Sequence, residues 1–306
     1  MYKNSLLDNI YIENVKQEEM MSVVVKFLGT AQDGGIPQIG CKCEMCTEIR
    51  AGKRKEVLQA AIGIENTETG NRYMIEATPS FSKQYQSFIA DENGKLDGIF
   101  LTHAHMGHYT GLMFLGREAL NSKEVKVYVS KKMAKFLRNN APWSQLVKLK
   151  NIELVEFESG KELVLDNDIK IIPVEVPHRN EFADTHGFII KGEKSFFFVP
   201  DIDSWEGFED QLNDIFKQCD YLAVDATFYT KEEIGNIRGR NFKEIPHPTV
   251  EETIKFIEEN NWDLKDKKII LTHFNHTNLL FTNKELREKV EKSEIMISED
   301  GMKITL

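Results

Sequence analysis

The sequence is short of several things, and each shortage narrows what the protein can be. Among its 306 residues are only four cysteines, Cys41, Cys43, Cys46 and Cys219. A small secreted domain stapled by disulfides spreads more cysteines through a shorter chain. Cys41, Cys43 and Cys46 lie too close together for sensible pairing with one another, so metal ligation in a reducing, cytoplasmic setting is the natural reading. Long apolar runs are missing as well. None approaches the roughly 20 residues that a membrane-spanning helix needs. The opening stretch, MYKNSLLDNIYIENVKQEEM, mixes charges with brief apolar pieces and lacks the apolar stretch of a signal peptide. It predicts a polar extension over residues 1–21, with Met20 or Met21 as an alternative start.

Positive charge is also in deficit. Lys and Arg number 39 against 49 Asp and Glu, a formal net charge of −10. That balance argues against broad, sequence-independent nucleic-acid binding, which requires a basic face. A small anionic substrate stays admissible, because a metal site can oppose the global sign locally. Nothing marks a Pro/Ser linker, a low-complexity block or a short repeat, which predicts one domain over residues 22–306. No feature specifies an oligomeric state.

What is present is material for a core, with 41% hydrophobic residues, arranged in short strand-like and helical runs. Ser22–Leu28 reads as a buried strand ending at Gly29, followed by a long aperiodic loop, GTAQDGGIPQIGCKCEMC; loops of that length in compact domains tend to be functional. Strands are expected near 60–64, 72–76 and 98–102, with a helix over 82–89 between the last two. Later come strands at 125–129, 152–155, 169–176, 187–190, 195–199, 221–224 and 268–271. Helices are expected at 131–139, 205–217 and 249–259, and a short helix with a hairpin-like end closes the chain over 283–306. Interleaved strands and helices predict a layered α/β protein.

The eight histidines sit almost entirely at the ends of these strands or just beyond them. In Thr102-His103-Ala-His105-Met-Gly-His108, an extended backbone turns His103 and His105 to one side. Three imidazoles in six residues suit Zn²⁺ or Fe²⁺; a solvated run of histidines is the plainer alternative. Cys41-Lys-Cys43-Glu-Met-Cys46 offers three thiolates, one ligand short of a closed tetrahedral zinc site, against the alternative of reduced cysteines under a loop. His178, Asp201 and Asp225 end successive strands, where each alone is as readily a cap or turn residue as a ligand. His186 and Cys219 read as structural, and Phe196-Phe-Phe198 as core.

At these residues the chain resembles the metallo-β-lactamase superfamily, whose hallmark is His-x-His-x-Asp-His after a core strand. Within it, the resemblance is to the branch holding coenzyme PQQ synthesis protein B and the PhnP-like phosphodiesterases. It runs from about Val23 to Leu280, through Gly29-Thr-Ala with its Cys-x-Cys-x-x-Cys loop, Ile75-Glu-Ala-Thr-Pro79, His108-Tyr-Thr-Gly-Leu112, Val224-Asp-Ala-Thr-Phe228 and Leu271-Thr-His-Phe-Asn-His-Thr-Asn278. The resemblance implies an αβ/βα four-layer sandwich. It implies one metal position at His103, His105 and His178, a second at His108 and His273, and Asp201 bridging them. It further implies a structural zinc on Cys41, Cys43, Cys46 and His276, and His247 beside the substrate as a catalytic residue with Asp201.

One position departs from the pattern: Gly107 stands where the hallmark has Asp. The loss predicts one tight active-site metal (zinc, iron or manganese) and one weak, because two dications sharing a single carboxylate repel. Were both held tightly, a water or a nearby residue such as Asp33 or Asp203 would have to replace the lost carboxylate. The expected activity is metal-dependent hydrolysis of a phosphodiester or other small anionic substrate, with Arg238 and Arg240 available for the anionic group. One alternative is a non-haem iron oxygenase of cofactor biosynthesis, which a single-carboxylate site would suit; another is a non-catalytic metal-binding protein.

Overall fold

The computed structural model describes residues 23–89, 94–166, 168–235 and 246–306. The expected extension over 1–21, and Arg238 and Arg240, lie outside the described residues. Among those described, two seven-stranded sheets face each other. The first runs β14 (Lys303–Thr305), β1 (Val23–Gly29), β2 (Ala61–Asn66), β3 (Arg72–Ile75), β4 (Gly98–Phe100), β5 (Val125–Ser130), β6 (Ile152–Phe157). The second runs β13 (Met296–Ile297), β12 (Lys268–Thr272), β11 (Tyr221–Asp225), β10 (Ser195–Val199), β9 (His186–Lys191), β8 (Lys170–Glu175), β7 (Leu163–Val164).

The period of two along a strand explains how each sheet is covered on both faces. On β10, Phe196 and Phe198 point between the sheets, joining Phe27, Phe100, Phe188 and Ile270 in a central core. Phe197 points the other way, into a layer with Leu212, Ile215, Val250 and Ile257 from the helices Glu209–Gln218 and Val250–Glu259. The outer face of the first sheet is covered likewise by Phe81, Leu112, Met133 and Leu137. Three apolar layers between four layers of secondary structure make the expected sandwich. Aromatic edges knit the two sheets: Phe27 meets Phe196 with ring centres 6.1 Å apart, and Phe100 meets Phe188 at 5.5 Å.

Strand direction decides where the polar residues gather. β3 and β4 are parallel, and β1 runs the same way because it and β3 are both antiparallel to β2. In the second sheet β10, β11 and β12 are parallel, and β8 shares their sense through the antiparallel β9. The C-terminal ends of β1, β3 and β4 thus line one rim, and those of β8, β10, β11 and β12 the other. The rims are joined by backbone bonds from Gln32 N to Phe274 O (2.8 Å) and from His186 N to Thr102 O (3.0 Å).

Two expectations need correction. The chain end is no hairpin: after the helix Lys284–Lys292, β13 adds to β12 in one sheet and β14 to β1 in the other. The helix expected from Trp205 begins at Glu209, since Gly207 takes a left-handed φ of 79° that interrupts the preceding turn. Past His105, a short helix Met106–Tyr109 gives way to a 3₁₀ turn, Thr110–Leu115. A Cβ at Gly111 would lie 2.1 Å from the Thr78 carbonyl oxygen, so the turn packs directly on the backbone after β3.

Candidate metal centre

From the end of β4, the extended segment delivers His103 Nε2 to within 2.9 Å of His105 Nδ1. His178, beyond β8, brings its Nε2 to 3.0 Å from the same His105 nitrogen. Asp201, beyond β10, places Oδ2 3.4 Å from His103 Nε2 and 3.3 Å from His178 Nε2. The same oxygen lies 3.6 Å from His108 Nε2. On that side Asp33 Oδ1 stands 3.0 Å from His108 Nε2 and 3.5 Å from His273 Nε2. Three candidate ligand groups therefore share Asp201: His103, His105 and His178 on one side, Asp33, His108 and His273 on the other, and Asp225 with His247 and His273 as a third, each group with its ligand atoms within 4.8 Å of one another.

The outward-facing ring nitrogens are tied down. His103 Nδ1 lies 2.8 Å from Thr102 Oγ1, His108 Nδ1 2.9 Å from Glu76 Oε1, and His273 Nδ1 2.9 Å from Thr227 Oγ1. His105 Nε2 is 3.0 Å from Glu181 Oε2, while His178 Nδ1 stands 2.7 Å from Asp203 Oδ1 as a charge contact without hydrogen-bond geometry. An oxygen accepting from one ring N–H fixes the tautomer and turns the other nitrogen's lone pair inward, the usual support of a metal-ligating histidine. Glu76 was not anticipated. It is fully buried, accepts from the hydroxyl of Thr102 as well as from His108, and holds a φ of 84°. His273 is similarly strained, with φ 64°. Such conformations cost on the order of 1–3 kcal/mol and persist where the surroundings enforce them.

The electrostatics are those of a pocket built for positive charge. Burial pushes the Asp201 carboxyl up, yet His178, His247 and His103 outweigh it and hold it well below the carboxylate range. Asp33 behaves alike, burial being overcome by His108 and His273. Burial keeps His103 well below its ordinary range and therefore neutral. Burial also lowers His178 and His273, but Asp201 and Asp203 lift the former to about 10, and Asp225 with Asp33 and Asp201 the latter to about 9. A metal ion entering here displaces such protons. Its fit is visible in two buried atoms that lack any hydrogen-bond partner, His273 Nε2 and Asp201 Oδ1. Orphaned groups of that kind cost about 1–3 kcal/mol each. Inward imidazoles and carboxylates at this spacing suit Zn²⁺, Mn²⁺ or Fe²⁺.

A separate cluster lies on the long loop. Cys41 Sγ and Cys43 Sγ are each 3.6 Å from His276 Nδ1, and Cys46 completes four ligand atoms within 4.8 Å of one another. Tetrahedral zinc with ordinary bond lengths would separate sulfur from nitrogen by about 3.6 Å. Burial lowers His276 from its usual range, leaving it neutral for ligation.

His247 sits two residues before Thr249, the cap of the helix Val250–Glu259, whose Thr249–Glu252 capping box fixes the entering chain. Its Nδ1 is 2.7 Å from Asp225 Oδ2 and 3.4 Å from Asp201 Oδ1. Asp225 also accepts from Thr227 N (2.9 Å) and Ile202 N (3.2 Å), so it braces the segment behind the site. His186 packs edge-on to Phe157 with ring centres 5.0 Å apart and joins none of the ligand groups among the described residues. Cys219 is core, its thiol pushed up to about 12 by burial.

Coenzyme PQQ synthesis protein B of Nitrosococcus oceani is 25% identical over 93% of this chain and 100% of its own. The protein of that name from Acinetobacter baylyi is 24% identical over 92% and 99%. Among solved structures, Zn²⁺-bound PqqB from Methylobacterium extorquens superposes with a TM-score of 0.77 at 18% identity, covering 92% of this chain and 100% of the other. A diphosphatase of the PhnP family gives 0.65 at 21%, covering 93% and 97%. The β-lactamase superfamily domain matches residues 71–274, two thirds of the sequence and most of the ligand set just described, and the chain belongs to that superfamily.

Proposed function

We propose that the protein is a metal-dependent hydrolase of small anionic substrates, with phosphodiesters or diphosphates the class to test first. One observation carries the reading: a single buried carboxylate, Asp201, faces two adjoining imidazole groups, the arrangement that lets a pair of metal ions act on one substrate. Metal ions held there would lower the pKa of a bound water to about 7 and polarise a substrate oxygen. The chain's own residues do the rest. Asp201 and the histidines orient, Glu76 and the two threonines hold the rings in register, and His247, with Nδ1 donating to Asp225, has Nε2 left for the leaving-group proton.

A second reading, a role in the synthesis of a PQQ-type cofactor, is favoured by the end-to-end match to the curated relatives. Its mononuclear iron-oxygenase form requires that Gly107 leave the site one carboxylate short, whereas Asp33 stands beside that position. Protein purified without oxygen should contain zinc or manganese and hydrolyse bis(p-nitrophenyl) phosphate. Iron with oxygen uptake and no diesterase activity would replace the first reading by the second, and no active-site metal would leave only a scaffold.

Two further results are expected. The loop cluster holds a structural zinc, so Cys43→Ser should lose one zinc equivalent and melt lower by about 5 °C or more, because such a site contributes directly to folding. Unchanged zinc and melting would reduce the cluster to free thiols with no metal between them. Glu76→Gln should weaken metal binding about 10–100-fold through His108; an unaltered titration would make Glu76 merely structural.

A further inference from the structure

The position that departs from the hallmark pattern is also a crowded glycine, and what crowds it is a carboxylate. A Cβ on Gly107 would lie 2.4 Å from Asp33 Cγ, 2.7 Å from Asp33 Oδ1 and 2.8 Å from Asp33 Cα. No side chain can occupy position 107 while Asp33 stays where it is. The space that an aspartate there would enter is filled by another aspartate, arriving from the loop after β1.

Asp33 is not there by chance of a loose side chain. Its turn is pinned on both sides: Ala31 bridges to Gln59 and Phe274, Gln32 N donates to Phe274 O at 2.8 Å, Gly35 N to Gln32 O at 2.8 Å, and Ile36 N to Val57 O at 3.0 Å. The carboxylate ends 3.0 Å from His108 Nε2 and 3.5 Å from His273 Nε2, the two nitrogens that the second position offers. His273 Nε2 is buried and has no hydrogen-bond partner, so an electron-pair acceptor is the group missing between it and Asp33.

We propose that Asp33 is a ligand of the second metal position, a carboxylate moved from the His-x-His-x-x-His segment to the loop after β1, with Gly107 required to make room for it. The inference rests on the metal-dependent reading above and replaces the expectation of a weak second metal. The second position has a carboxylate of its own besides a share of Asp201, and the charge argument for a weak second metal loses its premise. The two sites should be occupied together. Because Asp33 and Gly107 are one device, they should be exchangeable only as a pair.

The test is metal binding, read without substrate on full-length protein that keeps its loop zinc. After dialysis against Mn²⁺-free buffer, apo active sites are titrated with Mn²⁺ and followed by electron paramagnetic resonance and elemental analysis. Wild type should take up two equivalents with the spin coupling of a carboxylate-bridged pair. Asp33→Asn, which preserves shape, should weaken one equivalent about 100-fold and abolish the coupled signal. Gly107→Asp alone should gain no metal and should melt lower, since the new side chain meets Asp33. The double exchange Asp33→Gly with Gly107→Asp should recover the second equivalent and the coupling. If Asp33→Asn binds both equivalents as wild type does, Asp33 is no ligand, whatever the fate of the hydrolase reading. If wild type binds no Mn²⁺ at all, the hydrolase reading falls first and this proposal with it. Should Asp33→Asn prove unfolded, the double exchange still decides: a folded protein lacking the second equivalent overturns the relocation.

Discussion

Replacing Asp201 by asparagine should remove both active-site metals while leaving the loop zinc at one equivalent. Asparagine keeps the shape of the side chain and loses its charge. That charge is what Oδ2 presents to His103, His178 and His108 at 3.3–3.6 Å, in a position only 4% exposed. Neutral imidazoles alone would face two dications with a single carboxylate, Asp33, on one side and none on the other. A metal centre contributes several kcal/mol to a hydrolytic transition state, and about 4 kcal/mol is roughly a thousandfold in rate. Diester hydrolysis should thus fall by about a thousandfold or more, together with metal content. The loop cluster shares no ligand with Asp201 and should keep its zinc, which separates site loss from global unfolding. Two active-site equivalents retained by Asp201→Asn at wild-type affinity would mean that Asp201 does not bridge.

Most of this candidate centre was legible in the sequence because its candidate ligands follow strands, and strands announce themselves by short β-branched and aromatic runs. The ends of β4, β8, β10 and β12 carry His103, His178, Asp201 and His273, and parallel strand direction brings those ends together. Glu76 escaped notice for the opposite reason. An acid after Tyr73-Met-Ile75 resembles any strand-ending residue, and only its left-handed backbone swings the carboxylate inward to His108. The signal available was its neighbourhood, Glu-Ala-Thr-Pro, where a charge is followed at once by small and turn-forming residues. Asp33 could be named only as one of two acids near enough to matter. Choosing between them took the distance from Gly107, whereas Asp203 turned out to brace His178.

The chain end shows the limit of local pattern. Met296–Ile297 and Lys303–Thr305 are separated by a turn with Gly301, which reads like a hairpin. Strands of two and three residues bury too little to choose their own partner. Each is captured by an edge already formed, β12 for one and β1 for the other, more than 20 residues away along the chain in the first case and over 270 in the second. The region around Trp205 misled for a related reason. Trp205 and Phe208 are buried in the same layer as Leu212 and Ile215 and so extend the helical spacing, while Gly207 with its positive φ breaks the backbone that the spacing suggests.

Removing the imidazole of His247 should separate chemistry from metal retention. Asp225, its partner at 2.7 Å, keeps hydrogen bonds from Thr227 N, Thr227 Oγ1 (2.7 Å) and Ile202 N in the His247→Ala protein, so the brace behind Asp201 survives. Metal content should therefore match wild type. General acid catalysis contributes about 10²- to 10⁴-fold, most where the leaving group is a poor one. For a diester with an alkyl leaving group, kcat should fall within that range with KM little changed. For a p-nitrophenyl ester, whose phenolate departs without a proton, the loss should be much smaller. Equal losses on the two esters would make His247 a residue that positions substrate and not a proton donor. Loss of an active-site metal equivalent would count it among the ligands, as its 3.4 Å approach to Asp201 Oδ1 and its place beside His273, with ring centres 5.8 Å apart, would then explain.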